Sequence, residues 1–132
     1  HIIKWICLQD ICQKILENKE YVMYIVVNKD LNMSRGKTSA QVAHACTTYL
    51  LENAYKKISE TEKIVPWYED CQKKIILGAH ENEMNKLAQN EDVYVVYDCG
   101  LTEIPEGSLT AICLGVFEKD KVPNKYKRLR LL

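Results

Sequence analysis

Tyr21-Val22-Met23-Tyr24-Ile25-Val26-Val27 is a nearly unbroken run of β-branched and aromatic residues, and such a run suits a central strand covered on both faces. A polar stretch from Asn28 to Gly36 follows it, leading into a helix-compatible segment from about Lys37 to Lys57. Further along, Lys74–Gly78, Val93–Tyr97 and Thr110–Phe117 read as three more strands, with a short helix over Glu81–Asn90. Strands alternating with helices predict crossover connections and an α/β fold, its sheet parallel or mixed with helices on both faces. Ahead of the first strand, Leu8, Ile11, Cys12 and Ile15 recur at helix-like intervals. They predict a short helix within an N-terminal extension, residues 1–20, and a single domain over 21–132. After a charged connection, Ile64-Val65-Pro66-Trp67-Tyr68 predicts a buried anchor in which Pro66 limits the backbone.

The long helix carries two stripes. At about 100° per residue, Ala40, Ala43, Thr47, Leu50, Leu51 and Ala54 share a face whose small residues predict close approach to the sheet. Lys37, Gln41, His44 and Thr48 form a polar stripe along its edge, which predicts that one end of the helix lines a wet surface.

With 132 residues and a formal net charge of zero, the chain fits one core and lacks the overall charge that holds a protein on nucleic acid; any RNA contact must come from a local patch. Lys119, Lys121, Lys125, Lys127, Arg128 and Arg130 crowd the C-terminus, and Lys127 and Arg128 are the candidates for gripping a nucleic-acid backbone. The six cysteines show no CxxC pair and no histidine at zinc-like spacing. They read as reduced thiols of a cytoplasmic protein, with Cys46, Cys99 and Cys113 as small packing residues, and no metal site is expected. No apolar run reaches the ~18 residues of a membrane span, so no membrane contact is expected. The first residue is His1 rather than Met, which is compatible with a longer natural N-terminus carrying a targeting segment.

In open α/β sheets ligands bind beyond the carboxyl ends of the strands, where loops meet helix N-termini. Asn28–Lys37 leaves the first strand in this way and Asp98–Ser108 leaves the third. If those strands are parallel neighbours, Lys37 and Asp98 reach one rim. The N-terminus of the helix suits a phosphate, and Ser34, Arg35 and Lys37 add donors beside it. Asp98 is placed to hold a water or orient Lys37, while Thr102, Ser108 and Thr110 offer hydroxyls to ribose or ester oxygens. Gly36-Lys37-Thr38 between a strand and a helix invites comparison with a nucleotide-binding phosphate loop, but that loop needs Gly five residues before Gly36, and Leu31 stands there.

Asp30-Leu31-Asn32-Met33-Ser34-Arg35-Gly36-Lys37-Thr38-Ser39-Ala40-Gln41-Val42-Ala43-His44-Ala45 resembles the signature of type II peptidyl-tRNA hydrolases, in which an Asp-Leu pair, a Met and a Gly-Lys step lead into Ala-Gln-x-x-His-Ala. Asp98-Cys99-Gly100-Leu101-Thr102-Glu103-Ile104-Pro105-Glu106-Gly107-Ser108-Leu109-Thr110 resembles the family's second motif more weakly. Cys99, Leu101, Glu103, Pro105-Glu106 and Leu109 depart from it, costing a positive charge and adding two acids. The resemblance runs from about Tyr21 to the end. It implies a three-layer α/β/α sandwich on a mixed, about four-stranded sheet, a homodimer, and no metal or organic cofactor. It also implies an active site of Lys37, Gln41, Asp98 and Thr102 with His44 nearby, the imidazole reading as a hydrogen-bonding group rather than the base.

The function so implied is hydrolysis of the ester of peptidyl-tRNA, releasing peptide and tRNA for reuse. Such an ester is an activated bond, so positioning, a polarised water and oxyanion stabilisation suffice without a covalent nucleophile. The altered second motif motivates the alternative, a non-catalytic module on the same fold that binds RNA or a protein partner.

Overall fold

The computed structural model describes residues 19–99 and 103–132. The helix expected over 8–16 lies outside them, as does Thr102. Strand β1 (Tyr21–Asn28) is followed by a 3-10 turn (Lys29–Leu31) and helix α1 (Arg35–Asn53). Helix α2 (Ile58–Glu69), β2 (Lys74–Ala79), α3 (Glu81–Ala88), β3 (Tyr94–Tyr97), β4 (Leu109–Glu118) and β5 (Arg130–Leu131) complete the order. The sheet is mixed and five-stranded, ordered β3-β4-β1-β2-β5.

β1 is the centre, as its apolar run requires: it pairs parallel to β2 and antiparallel to β4. β3 is also antiparallel to β4, so β1, β2 and β3 point the same way and their carboxyl ends share one rim. β1 and β3 are therefore not neighbours, contrary to the simplest expectation, yet the consequence for Lys37 and Asp98 holds because β4, lying between them, runs antiparallel to both.

Successive side chains of a strand face opposite sides, and two cores result. On one face Met23, Ile25, Val96, Ala111 and Cys113 pack against Ala45 and Tyr49 of α1 and Ile64 and Trp67 of α2. On the other, Val26, Leu77, Ile112 and Leu114 pack against Met84 and Leu87 of α3 and against Tyr126. This is the three-layer sandwich, with one strand more than expected. β5 is only two residues long and lay hidden in the basic tail.

Two expectations are corrected. The charged connection before Ile64 is the first half of α2: Pro66 sits inside that helix near its end, while Trp67 is buried and donates Nε1–H to Lys73 O at 2.8 Å. The buried stripe of α1 is Gln41-Ala45-Tyr49-Asn53, and Ala40, Ala43, Thr47 and Leu51 face outward. Polarity misled because the buried polar groups are paired: Gln41 with Thr110 (2.6 Å), Asn53 with Tyr49 O (2.7 Å) and the Tyr94 hydroxyl (3.0 Å).

β4 departs twice from a regular ladder. Val96 and Tyr97 pair with Ala111 and Leu109, leaving Thr110 as an extra residue; Tyr24 and Ile25 pair with Gly115 and Cys113, leaving Leu114. Bulges of this kind re-aim side chains, and the first lies against the site.

Candidate active site

The first turn of α1 begins at Ser34, whose hydroxyl accepts the Lys37 N–H at 3.2 Å in an N-cap. Three residues inside that cap, the Lys37 ammonium donates to Asp98 Oδ1. Asp98 follows β3 directly and is held by its backbone: its N–H donates to Ser108 O at 2.9 Å and its carbonyl accepts the Gly107 N–H at 3.0 Å. Buried Ile104 anchors the same connection. The two expected residues therefore meet, but in a drier setting than a wet helix edge: their side chains are 10% and 3% exposed. Charges removed from water act on a neighbouring dipole or charge more strongly.

Gln41, one turn beyond Lys37, is buried beneath the pair. The Thr110 hydroxyl lies 2.6 Å from Gln41 Oε1 and 3.1 Å from Val96 O. Thr110 is wholly buried, so its bulge turns the hydroxyl onto Gln41 instead of presenting it to solvent. Ser108 donates its hydroxyl to Pro105 O at 2.6 Å and shapes the connection. His44 and Arg35 are exposed on α1.

On charge alone Glu103 reads as a liability beside a phosphate-binding surface. Its carboxylate instead accepts both the Ser34 N–H (3.0 Å) and the Ser34 hydroxyl (2.7 Å). These two bonds, with the Lys37 charge nearby, hold the carboxyl below its ordinary range. The pairing spans 69 positions, and no local signal marks it.

Across the first turn of α1, on the β1–β2 side of the rim, lies a cavity of about 630 Å³ lined by Asn28, Asp30, Asn32, Met33, Thr38 and His80 among others. Asn28 is buried and knits its floor: Nδ2 donates to Leu109 O (2.9 Å) and Glu81 Oε2 (2.5 Å), and Oδ1 accepts the Asp30 N–H (3.1 Å). Asp30 accepts the Glu81 N–H (2.7 Å) and meets His80 Nδ1 (2.7 Å). A second hollow at the end of β2 gathers Lys29, His80, Arg128 and Arg130. Arg128 is tied to Glu83 at 2.6 and 2.9 Å, whereas Lys127 is exposed.

Among the described residues no three His, Cys, Asp or Glu side chains are grouped to hold a metal, and no helix is long and apolar enough to cross a membrane. Cys46, Cys71, Cys99 and Cys113 are free. Burial pushes the thiols of Cys46 and Cys113 up, while Cys99 is exposed and not the packing residue expected.

Fold and site together define an α/β protein whose strand-end rim brings an ammonium and a carboxylate together above a buried amide–hydroxyl pair, Gln41 and Thr110. The model of the family described as "Peptidyl-tRNA hydrolase PTH2" matches residues 21–132. A protein named peptidyl-tRNA hydrolase from Staphylothermus marinus is 38% identical, covering 89% of this chain and 99% of its own length. Relatives of the same name from Thermoplasma acidophilum (35%, 81% and 97%) and Thermococcus onnurineus (31%, 85% and 98%) are also similar. The chain belongs to the peptidyl-tRNA hydrolase PTH2 family.

Proposed function

We infer that this chain is an enzyme that hydrolyses the ester between peptide and tRNA, releasing both. Family membership supports this reading over a non-catalytic binding module. The observation that carries the chemistry is the Lys37 ammonium resting on Asp98 at the strand-end rim. Asp98 orients the lysine and an attacking water; Lys37 stabilises the negative charge that develops on the ester carbonyl oxygen, which strengthens toward the transition state. Gln41, held by Thr110, and Thr102 position the ribose and carbonyl. His44 is a hydrogen-bonding neighbour farther along α1.

Substrate binding is assigned to Ser34, Arg35 and Ser108 around the start of α1, and to Lys127 and Arg128 for the tRNA backbone, with Lys29 and Arg130 beside Arg128. The cavity by Asp30 and Met33 gives room for a part of the substrate beyond the ester. The active form is a homodimer, supported by apolar surface at Leu51, Tyr55, Ile58 and Tyr68, each between 41% and 68% exposed. The proposed compartment is the cytoplasm, in keeping with the free thiols.

The test is incubation of purified protein with peptidyl-tRNA beside Lys37→Ala and Asp98→Ala. Turnover lost in both variants supports the reading. Turnover unchanged in both removes the site assignment, and no wild-type turnover removes the activity. Sedimentation velocity checks the dimer.

A further inference from the structure

Two carboxylates on one connection converge on a single residue of α1. Asp98, at the start of the connection, receives the Lys37 side chain. Glu103, five positions later, reaches the backbone of the same lysine through Ser34. The Ser34 hydroxyl donates its one proton to Glu103 Oε1 (2.7 Å) and turns a lone pair to the Lys37 N–H (3.2 Å); the Ser34 N–H donates to Glu103 Oε2 (3.0 Å). A hydroxyl rotor is otherwise free to turn. A carboxylate on its proton fixes it in the one orientation that caps residue 37, and each bond in such a chain polarises the next. Buried Ile104 beside Glu103 fixes where that carboxylate sits.

We propose that Glu103 is a positioning residue for the hydrolysis: through Ser34 it locks the first turn of α1 at the height where the Lys37 ammonium meets Asp98 and the ester oxygen. This rests on the reading above that Lys37 and Asp98 perform the reaction. The role needs both oxygens of Glu103, one for the amide and one for the hydroxyl. The variants divide accordingly. Glu103→Gln retains a carbonyl oxygen for the Ser34 N–H but places an NH₂ donor against the hydroxyl, so the cap is half kept. Glu103→Ala frees the hydroxyl rotor, and Ser34→Ala removes the cap acceptor itself.

The experiment is single-turnover and steady-state hydrolysis of peptidyl-tRNA by wild type, Glu103→Ala, Glu103→Gln, Ser34→Ala and the Glu103→Ala/Ser34→Ala double variant. Amide hydrogen exchange at Ser34 and Lys37 is followed in the same proteins. Because a misplaced reacting group slows chemistry more than binding, kcat should fall roughly tenfold in Glu103→Ala with KM little changed. Glu103→Gln should recover part of the loss, and the double variant should be no slower than the worse single one. Exchange at Lys37 should quicken in Glu103→Ala. Wild-type kcat in Glu103→Ala, or losses that multiply in the double variant, would overturn the proposal. The exchange result keeps the two readings apart: if wild type does not turn over peptidyl-tRNA, the functional reading fails. Unchanged exchange at Lys37 in Glu103→Ala, by contrast, removes the lock whatever the activity.

Discussion

The Lys37 ammonium and the Asp98 carboxylate meet across the gap between the first turn of α1 and the end of β3, with only 10% and 3% of their side chains exposed. A pair this dry is costly to half-remove, because one charge is then left without compensation. Lys37→Ala and Asp98→Asn should each lower kcat/KM on peptidyl-tRNA by about 10²–10³-fold. The two groups work as a unit, so the double variant should lose little more than either single one. Lys37→Ala should also cost about 3–5 kcal/mol of stability, so rates must be compared well below each variant's unfolding midpoint. Two single losses that simply multiplied would mean the groups act independently.

Thr110 and Gln41 make a second, quieter prediction. The bulge that leaves Thr110 unpaired on β4 aims its hydroxyl at Gln41 Oε1 and Val96 O, all inside the protein. Thr110→Val keeps the shape and deletes the hydroxyl, leaving buried acceptors short of a donor at a cost of about 1–3 kcal/mol. Denaturant unfolding should show that loss and kcat should fall with it, since Gln41 is freed. Thr110→Ser should restore activity almost fully. A Val variant as active as wild type would separate Gln41 from the chemistry.

What was legible beforehand was legible because it is local. An uninterrupted apolar run requires a covered strand, and a strand end followed by Ser-Arg-Gly-Lys requires a helix start at the rim; β1 and α1 follow from these, whereas the meeting of Lys37 with Asp98, 61 positions apart, came from the resemblance. Interactions between distant segments were not legible. Gln41 and Asn53 look like surface residues until Thr110, Tyr94 and the Tyr49 carbonyl are placed beside them, and that inverted the expected face of α1. Pro66 and the Glu60-Thr61-Glu62-Lys63 stretch concealed α2, because a proline past the first turn removes a backbone bond and crowds the preceding turn, and so reads as a helix breaker. Glu103 counted as repulsion on charge alone and proves to be an acceptor for two Ser34 donors.

Gly115 should tolerate no side chain. It sits opposite Tyr24 beside the second bulge of β4, with φ at +108°, and a Cβ there would come within 3.3 Å of the Tyr49 ring. The Tyr49 hydroxyl is itself fixed, donating to Glu60 Oε2 at 2.5 Å and accepting the Val116 N–H at 3.2 Å, so the ring cannot give way freely. Gly115→Ala should cost at least about 1–2 kcal/mol from backbone strain alone. Calorimetry or denaturant unfolding reads this directly, and an unshifted midpoint would mean that β4 relaxes away from α1.

Asp30 gives the pH prediction. Its carboxyl lies below the ordinary range, chiefly because it accepts the Glu81 N–H at the start of α3 and secondly because it meets His80. A depressed carboxyl stabilises the fold fully above the pKa of the unfolded chain, and that contribution is lost as pH falls through the lower folded value. The difference in unfolding midpoint between wild type and Asp30→Asn should therefore be steady from neutral pH down to about pH 5, then shrink below about pH 4. Since the backbone amide is the larger cause, most of the difference should survive in a His80→Asn background. A gap that widened on acidification would reverse the sign and show that the neutral acid is the form the fold prefers. A gap abolished by His80→Asn would instead make the imidazole, not the helix start, the group that holds Asp30.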